Sequence, residues 1–472
     1  MNIKINTRVE KDLLGHKEIP AHCYYGVQTL RALENFNLSP NKLNQFPVFI
    51  NALAMVKAAC AEANFKLNKL EENKYNAIQY ACEQVINYKY HDQFPIDMIQ
   101  GGAGTSTNMN INEVLANIGL EHLDHLKGEY QYLHPNNDIN MSQSTNDVYP
   151  TAIKVGLIFA IEQLNSPFQN LIQSFKNKSD EFSHILKMGR TQLQDAVPMT
   201  LGQEFAAFAS MIAADEKRLR ESASLLCEIN MGGTAIGTGI NAPVGYADVV
   251  TAKLAEFSGV PVVKAEDMIA ATADTGVFAD ISGILKRIAV KLSKISNDLR
   301  LLSSGPQAGV GDIKLPARQA GSSIMPGKVN PVIPEVVSIA CFEAIGNDAA
   351  ITMAVEAGQL QLNAFEPLMA WALHKSLRHL AAACRTLQIN CVEGIEANTV
   401  LLDARINESV TLVTALNPLI GYEKAAKIAK AAIATGKPIA EVAEDLGIMS
   451  REKMQALLVV DTLTAPGALR AS

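Results

Sequence analysis

The chain has 472 residues, 48% of them hydrophobic and 19% charged, which supplies a large core and excludes an intrinsically disordered protein. The formal net charge is −7 and there is no long basic run, so neither nucleic acid nor an anionic membrane is an expected partner. An acidic substrate would feel no general attraction, and any anion site has to be built locally.

The N-terminal run MNIKINTRVEKDLLG has no apolar stretch of the signal-peptide kind, no segment reads as a membrane span, and the expected compartment is the cytoplasm. Residues 1–143 read as an N-terminal helical region. A first long helical pattern runs from Thr151 to Leu186, and a second from Gly202 to Glu228 with Phe205, Phe208, Ile212, Leu219 and Leu226 on one face. The clearest pattern runs from Thr275 to Leu302. Its apolar positions Ile281, Leu285, Ile288, Leu292, Ile295, Leu299 and Leu302 recur every three or four residues, with Lys286, Lys291, Lys294 and Asp298 off the stripe. A fourth pattern opens near Asn330, with Pro331 and Pro334 in its first turn, and continues through the small residues of SIACFEAIGNDAAITMAVEAG. A fifth runs from Glu366 to Asn398. Such helices are each about 40 to 50 Å long, a length typical of bundles. Several carry apolar residues on more than one face, so oligomerisation is expected. Strand signals are few. The expected fold is mainly α: the N-terminal region, a central long-helix bundle over residues 144–397 and a small helical domain over residues 398–472.

Seven cysteines, an odd number without a C-x-x-C pair, argue against a disulfide framework and a structural zinc site. Cys60, Cys82, Cys341 and Cys384 lie in Ala-rich helical patterns and read as small buried apolar groups.

Five loops are dense in Gly, Ser, Thr, Asn and Pro. They are GGAGTSTNMNIN from Gly101, HPNNDINMSQSTNDVYP from His134, KMGRTQLQDAVPMT from Lys187, NMGGTAIGTGINAP from Asn230 and SSGPQAGVGDIKLPARQAGSSIMPGKVNP from Ser303. Turn and cap chemistry uses the same residue types, but several such loops in one chain point to a site. Some familiar signals fail. GSSIMPGK, Gly321 to Lys328, has one residue too many between its glycines for a phosphate-binding P-loop, and Val329 stands where Ser or Thr is needed. MGGTAIGTG lacks the dinucleotide fingerprint and follows a helical pattern. His122 and His125, beside Glu121 and Asp124, have no third ligand nearby and read as a solvated helix end. The absence of an Ala-Ser-Gly triplet rules out the self-made electrophile of the aromatic amino-acid ammonia-lyases.

The segment GSSIMPGKVNP, Gly321 to Pro331, resembles the signature of the aspartase/fumarase superfamily without a gap. GTSTNMNINEV from Gly104, QSTND from Gln143 and GRTQLQDAVPMTLGQE from Gly189 resemble its three substrate loops, in the same order. The likeness covers essentially the whole chain. YYGVQTLRALENF, KGEYQYLHPNNDIN and the PEVV after the signature place it nearest the aspartase branch.

That resemblance implies an L-aspartase-like helical fold and a reversible elimination that turns a succinate-like acid, aspartate in the aspartase branch, into fumarate. The hard step is removal of a Cβ proton beside a carboxylate, which leaves an enediolate, and preorganised donors aimed at its oxygens supply most of the rate enhancement. By the same likeness Ser322 is the base. Thr105, Ser144, Thr145 and Ser323 hold the carboxylate that becomes the enediolate. Thr191 and Asn146 meet the ammonium end, and Lys328 pairs with the other carboxylate with Asn330 beside it. A serine is a poor base unless loop N–H groups and a nearby lysine stabilise its alkoxide. One departure stands out. Gln192 occupies the position where fumarases and some aspartases have histidine; it can orient a carboxylate but cannot carry a proton. That counts against a class II fumarase, the nearest alternative activity. The larger substrates of other superfamily members need added binding groups, and the aspartase-like N-terminal run argues against them. A scaffold that no longer catalyses would not need Ser322, Lys328, Asn146 and Thr105. The resemblance further implies a homotetramer whose sites draw loops from three subunits, and no cofactor; Arg190 and Asp195 read as structural.

Overall fold

A computed structural model describes residues 6–457 and 459–464. It divides the chain into two compact units, one drawn from the residues up to Asn165, Lys217–Arg287 and Glu343–Leu380, the other from Ser166–Glu216, Ile288–Phe342 and the residues from Ala381 on. Helices dominate both. The strands among the described residues form four two-stranded sheets.

The first unit opens with an antiparallel hairpin, Thr7–Asp12 against Gly15–Pro20. Its core is the helix Pro47–Lys66, which packs on the helices Glu72–Ile86 and Tyr246–Ser258. Ala52, Ala54, Ala58, Ala59, Cys60, Ala61 and Ala63 give that helix little side-chain bulk and let its neighbours approach closely. The helix Val27–Asn35 has no capping side chain of its own. The buried carboxylate of Glu113 serves instead, accepting the N–H groups of Gly26, Gln28 and Thr29 at 2.8, 2.8 and 3.1 Å and the Thr29 hydroxyl at 2.6 Å. Glu10 takes the Val27 N–H at 2.9 Å. Burial raises the Glu113 carboxyl to about 7, against the pull of those donors.

The second unit is cored by the rings of Phe175, Phe182, Phe205 and Phe208, with centroids 5.4 to 6.0 Å apart. A separate apolar cluster joins Met188 to Ile406, Leu412, Leu416, Ile428, Val442 and Met454 from the C-terminal helices.

The long helices stand where periodicity places them, with shifted ends. The first is Thr145–Glu181, earlier than Thr151 to Leu186, because Ser144 starts it. The Ser144 hydroxyl accepts the Asn146 N–H, and Asp147 accepts the Ser144 N–H, a reciprocal cap. The second, Leu201–Ser222, is opened by the same device between Thr200 and Gln203 and stops short of Glu228 in a 3₁₀ turn. The third and fourth are Gly276–Leu302 and Val332–Glu356. The fifth, Glu366–Asn390, ends before Asn398, because the chain turns to pair Glu396–Ala397 with Ile313–Lys314. A two-residue strand, Glu228–Ile229, precedes MGGTAIGTG where the sequence pattern suggested a helix; it pairs in parallel with Val263–Lys264. His122 stacks on Tyr80, and His125 on Tyr132. Cys60, Cys82, Cys341 and Cys384 are buried thiols.

Against expectation, Pro47–Lys66 and Val332–Glu356 are long and apolar enough to cross a membrane. The first is 78% buried and is a core helix. The second is 33% buried and leaves Val336, Ile339, Phe342 and Met353 at 47, 64, 58 and 71% exposure.

Glu113→Ala would strip four donors of their acceptor. Each buried unsatisfied group costs about 1 to 3 kcal/mol, so urea unfolding should show a loss of about 3 kcal/mol or more.

Candidate active site

In the first unit, Gly102, Ala103 and Gly104 follow one another with positive φ and turn the chain into the helix Thr105–His122. A Cβ on Gly104 would meet the Tyr149 ring at 2.4 Å, so only glycine fits there. Thr105 is the exposed first residue of that helix, whose N-terminal N–H groups favour an anion. One turn on, Asn108 donates to the Thr145 hydroxyl and to Asn140 Oδ1, both at 3.1 Å. The two loops that carry the expected site residues Thr105, Ser144, Thr145 and Asn146 are thereby joined. The Asn146 amide donates to the Ala235 carbonyl at 2.8 Å, and Asn230 donates back to the Asn146 carbonyl at 3.0 Å. This draws in the loop from Asn230.

Two buried charges beneath these loops were not identified from the sequence. Lys57, fully buried, donates to Asn140 Oδ1 at 3.0 Å and Gln143 Oε1 at 2.7 Å. Burial lowers its ammonium to about 8. Asp147, also fully buried, accepts the N–H groups of Ser144, Gly232 and Thr234 at 2.9, 3.1 and 3.0 Å. Burial pushes its carboxyl up to about 6, against those three donors and Lys57. A lysine in an alanine-rich helix carries no local signal. The S-x-x-D spacing of Ser144 and Asp147 does, as a capping pattern.

In the second unit, the stretch from Lys187 is a hairpin and not a loop: Leu186–Thr191 pairs with Gln194–Thr200, with a bulge between Met188 and Arg190. Its two-residue turn is Gln192 and Leu193, at φ 53° and 63°. Such turns favour Asn-Gly, and the left-handed region costs other residues roughly 1 to 2 kcal/mol each. Thr191 and Gln192 are exposed at this strained tip.

The signature forms a pinned loop. Gly321 N–H donates to the Lys328 carbonyl, and Asn330 Nδ2 to the Gly321 carbonyl, both at 2.8 Å. A Cβ on Gly321 would lie 2.6 Å from the Lys328 oxygen. Asn330 thus braces the base of the loop. Inside it, Ser322 Oγ accepts the N–H groups of Ile324 and Met325 at 3.2 and 3.0 Å. Two N–H dipoles aimed at one oxygen favour its deprotonated form. Ser323 and Lys328 are exposed. Lys328 and Asn330 line a cavity of about 510 Å³ with Arg300, Lys314 and Glu335. Gln192 lines a different cavity, of about 300 Å³, with Arg190, Lys187 and Glu204. The ten expected site residues therefore fall into a group of four in the first unit and six in the second.

The chain matches the Lyase family over residues 15–346 and the fumarase C C-terminus family over residues 412–465. The chain belongs to this lyase family. Among its relatives, aspartate ammonia-lyase of Pseudomonas canavaninivorans is 55% identical over 99% of this chain and 98% of that one. Aspartate ammonia-lyase of Helicobacter pylori is 51% identical over 98% and 99%. A solved structure titled fumarate lyase:delta crystallin, from Brucella melitensis and bound to cobalt, superposes with a TM-score of 0.94 at 53% identity, covering 97% of this chain and 99% of that one. Class II fumarase of Schistosoma mansoni gives a TM-score of 0.90 at 34% identity, covering 99% and 100%.

Lys57→Met should change the pH dependence of stability in a definite direction. The native ammonium loses its proton near pH 8 and the unfolded one near 10.5, so the unfolded chain binds more protons between them and stability rises with pH across that window. Denaturant unfolding should show that rise in the parent protein and not in the variant.

Proposed function

We infer that this chain eliminates ammonia from L-aspartate, reversibly, to give fumarate. The observation that carries this is the 51 to 55% identity, over almost the whole length of both partners, to aspartate ammonia-lyases. The class II fumarase likeness is weaker, at 34%. Gln192, at the tip of the hairpin, also lacks the proton-carrying group that hydration of fumarate would use.

The reaction runs as follows. Ser322, as an alkoxide stabilised by the Ile324 and Met325 N–H groups, takes the proton from Cβ of aspartate. The electron pair moves into the adjacent carboxylate, and the enediolate is held by neutral hydroxyls from Thr105, Ser144, Thr145 and Ser323. Collapse of the enediolate forms the double bond and expels the amine at Cα, with Thr191 and Asn146 at that end and Gln192 orienting a carboxylate. Lys328 pairs with the second carboxylate. Arg300 and Lys314 line the same cavity, so the positive field that an acidic chain lacks overall is supplied locally.

The assembly is a homotetramer, with each site built from loops of three subunits. The exposed face of the helix Val332–Glu356, with Val336, Ile339, Phe342 and Met353, supports this. A second copy of the same helix would cover that apolar surface.

Three variants test this reading. Ser322→Ala should lower kcat by about a thousandfold or more while leaving the tetramer intact by sedimentation. Lys328→Ala should raise KM for L-aspartate more than it lowers kcat, since it removes binding made throughout the reaction. Mixing refolded Ser322→Ala chains with Thr145→Val chains, each inactive alone, should restore activity to about a quarter of the parent's if loops are shared between subunits. No recovery would place each site within one chain.

A further inference from the structure

Asp312 has no exposed surface and sits among three cations. Its Oδ2 accepts Arg190 Nη1 at 2.7 Å and lies 3.2 Å from Lys187 Nζ. Its Oδ1 accepts Arg405 Nη1 at 2.7 Å and Arg190 Nη2 at 3.3 Å. Lys187 is shared with Glu204 at 2.6 Å. Burial pushes the Asp312 carboxyl up, but Arg190 and Lys187 outweigh it and hold it below the usual carboxylate range.

The three cations come from two places. Arg190 and Lys187 belong to the hairpin whose tip is Thr191 and Gln192. Arg405 belongs to the helix Thr399–Glu408 of the C-terminal region, and also donates to the carbonyls of Val310 and, at 3.5 Å, Gly309. Asp312 itself stands on the stem that leads to the Ser322 loop. That stem is fixed from its other side: Asn398 N–H donates to the Asp312 carbonyl and Asn398 Nδ2 to the Gly311 carbonyl, both at 3.0 Å, and Ile313–Lys314 pairs with Glu396–Ala397. The bulge at Gly189 lets Met188 enter the C-terminal apolar cluster while Arg190 turns to the carboxylate. A hairpin tip with two left-handed, non-glycine residues needs such outside fastening to stay in one conformation.

We propose that Asp312 is a positioning residue for the reaction: through Arg190 and Arg405 it fixes the Thr191–Gln192 tip, the stem of the Ser322 loop and the helix Thr399–Glu408 against one another. The inference rests on the activity proposed above. It gives the C-terminal region a part in the chemistry, although none of the ten proposed site residues lies there. Asp312 touches no substrate; it acts through Thr191 and Gln192.

The test is a double-mutant cycle on the full-length enzyme. Asp312→Asn keeps the shape and removes the charge. Per folded tetramer, kcat/KM for L-aspartate should fall tenfold or more. In a Thr191→Ala background the same change should cost several-fold less than in the parent, because part of what Asp312 positions is already lost. Losses that multiply, or an unchanged kcat/KM, overturn the proposal. If Asp312→Asn does not fold, Arg190→Lys keeps the charge, drops the two-pronged contact and is read in the same way. The parent enzyme is assayed alongside, and its failure to make fumarate refutes the activity, not the clamp. In that event hydrogen exchange decides the clamp: faster exchange of the amides of residues 188–200 in Asp312→Asn supports it, and unchanged exchange overturns it.

Discussion

Asp147 is a carboxylate with no exposed surface, and it takes three backbone N–H groups from two different loops. The side chains of a polar loop cannot satisfy every one of its backbone N–H groups by themselves. Something beneath must supply the acceptors, and a buried carboxylate can satisfy several donors at once. Asp147 does this for the QSTND turn and the Asn230 loop, Glu113 for the start of the helix Val27–Asn35, and Asp312 for the hairpin and the signature stem. Each is a carboxyl group buried where its charge is costly, and each is kept by hydrogen bonds or cations that face it.

Much of this is visible in the residues themselves. The five long helices follow from apolar spacing, and the Gly-Ser-Thr-Asn loops carry all ten residues of the proposed site. The helix starts at Ser144 and Thr200 are also written locally, as S-x-x-D and T-x-x-Q. Periodicity misses them because the first turn of each helix is polar. The hairpin from Leu186 to Thr200 is missed for a different reason: its turn uses Gln-Leu where Asn-Gly would have signalled it, and neighbouring structure holds it in place. Lys57 and Asp312 are illegible for a third reason. Whether a charged residue is buried depends on what the fold brings against it, and no window of sequence contains both partners.

The same logic separates the two ends of the reaction. In the proposed reaction the donors around the developing enediolate are neutral hydroxyls, which need no counter-charge before the proton moves. The cations Lys328, Arg300 and Lys314 line one cavity, and in the same proposal Lys328 serves the carboxylate that does not change charge. Ser322 stands apart from both groups, its oxygen already facing two N–H dipoles. On this account Gln192 is no defect, because the elimination draws its base from the signature loop and asks the hairpin only for hydrogen bonds.

The most direct measurement is the ultraviolet absorbance of fumarate after mixing the purified protein with L-aspartate, with ammonia assayed in the same sample and L-malate run in parallel. The account predicts fumarate and ammonia in equal amounts from L-aspartate, and none from malate. Fumarate from malate alone would contradict it and would mean that water chemistry proceeds without a histidine at position 192.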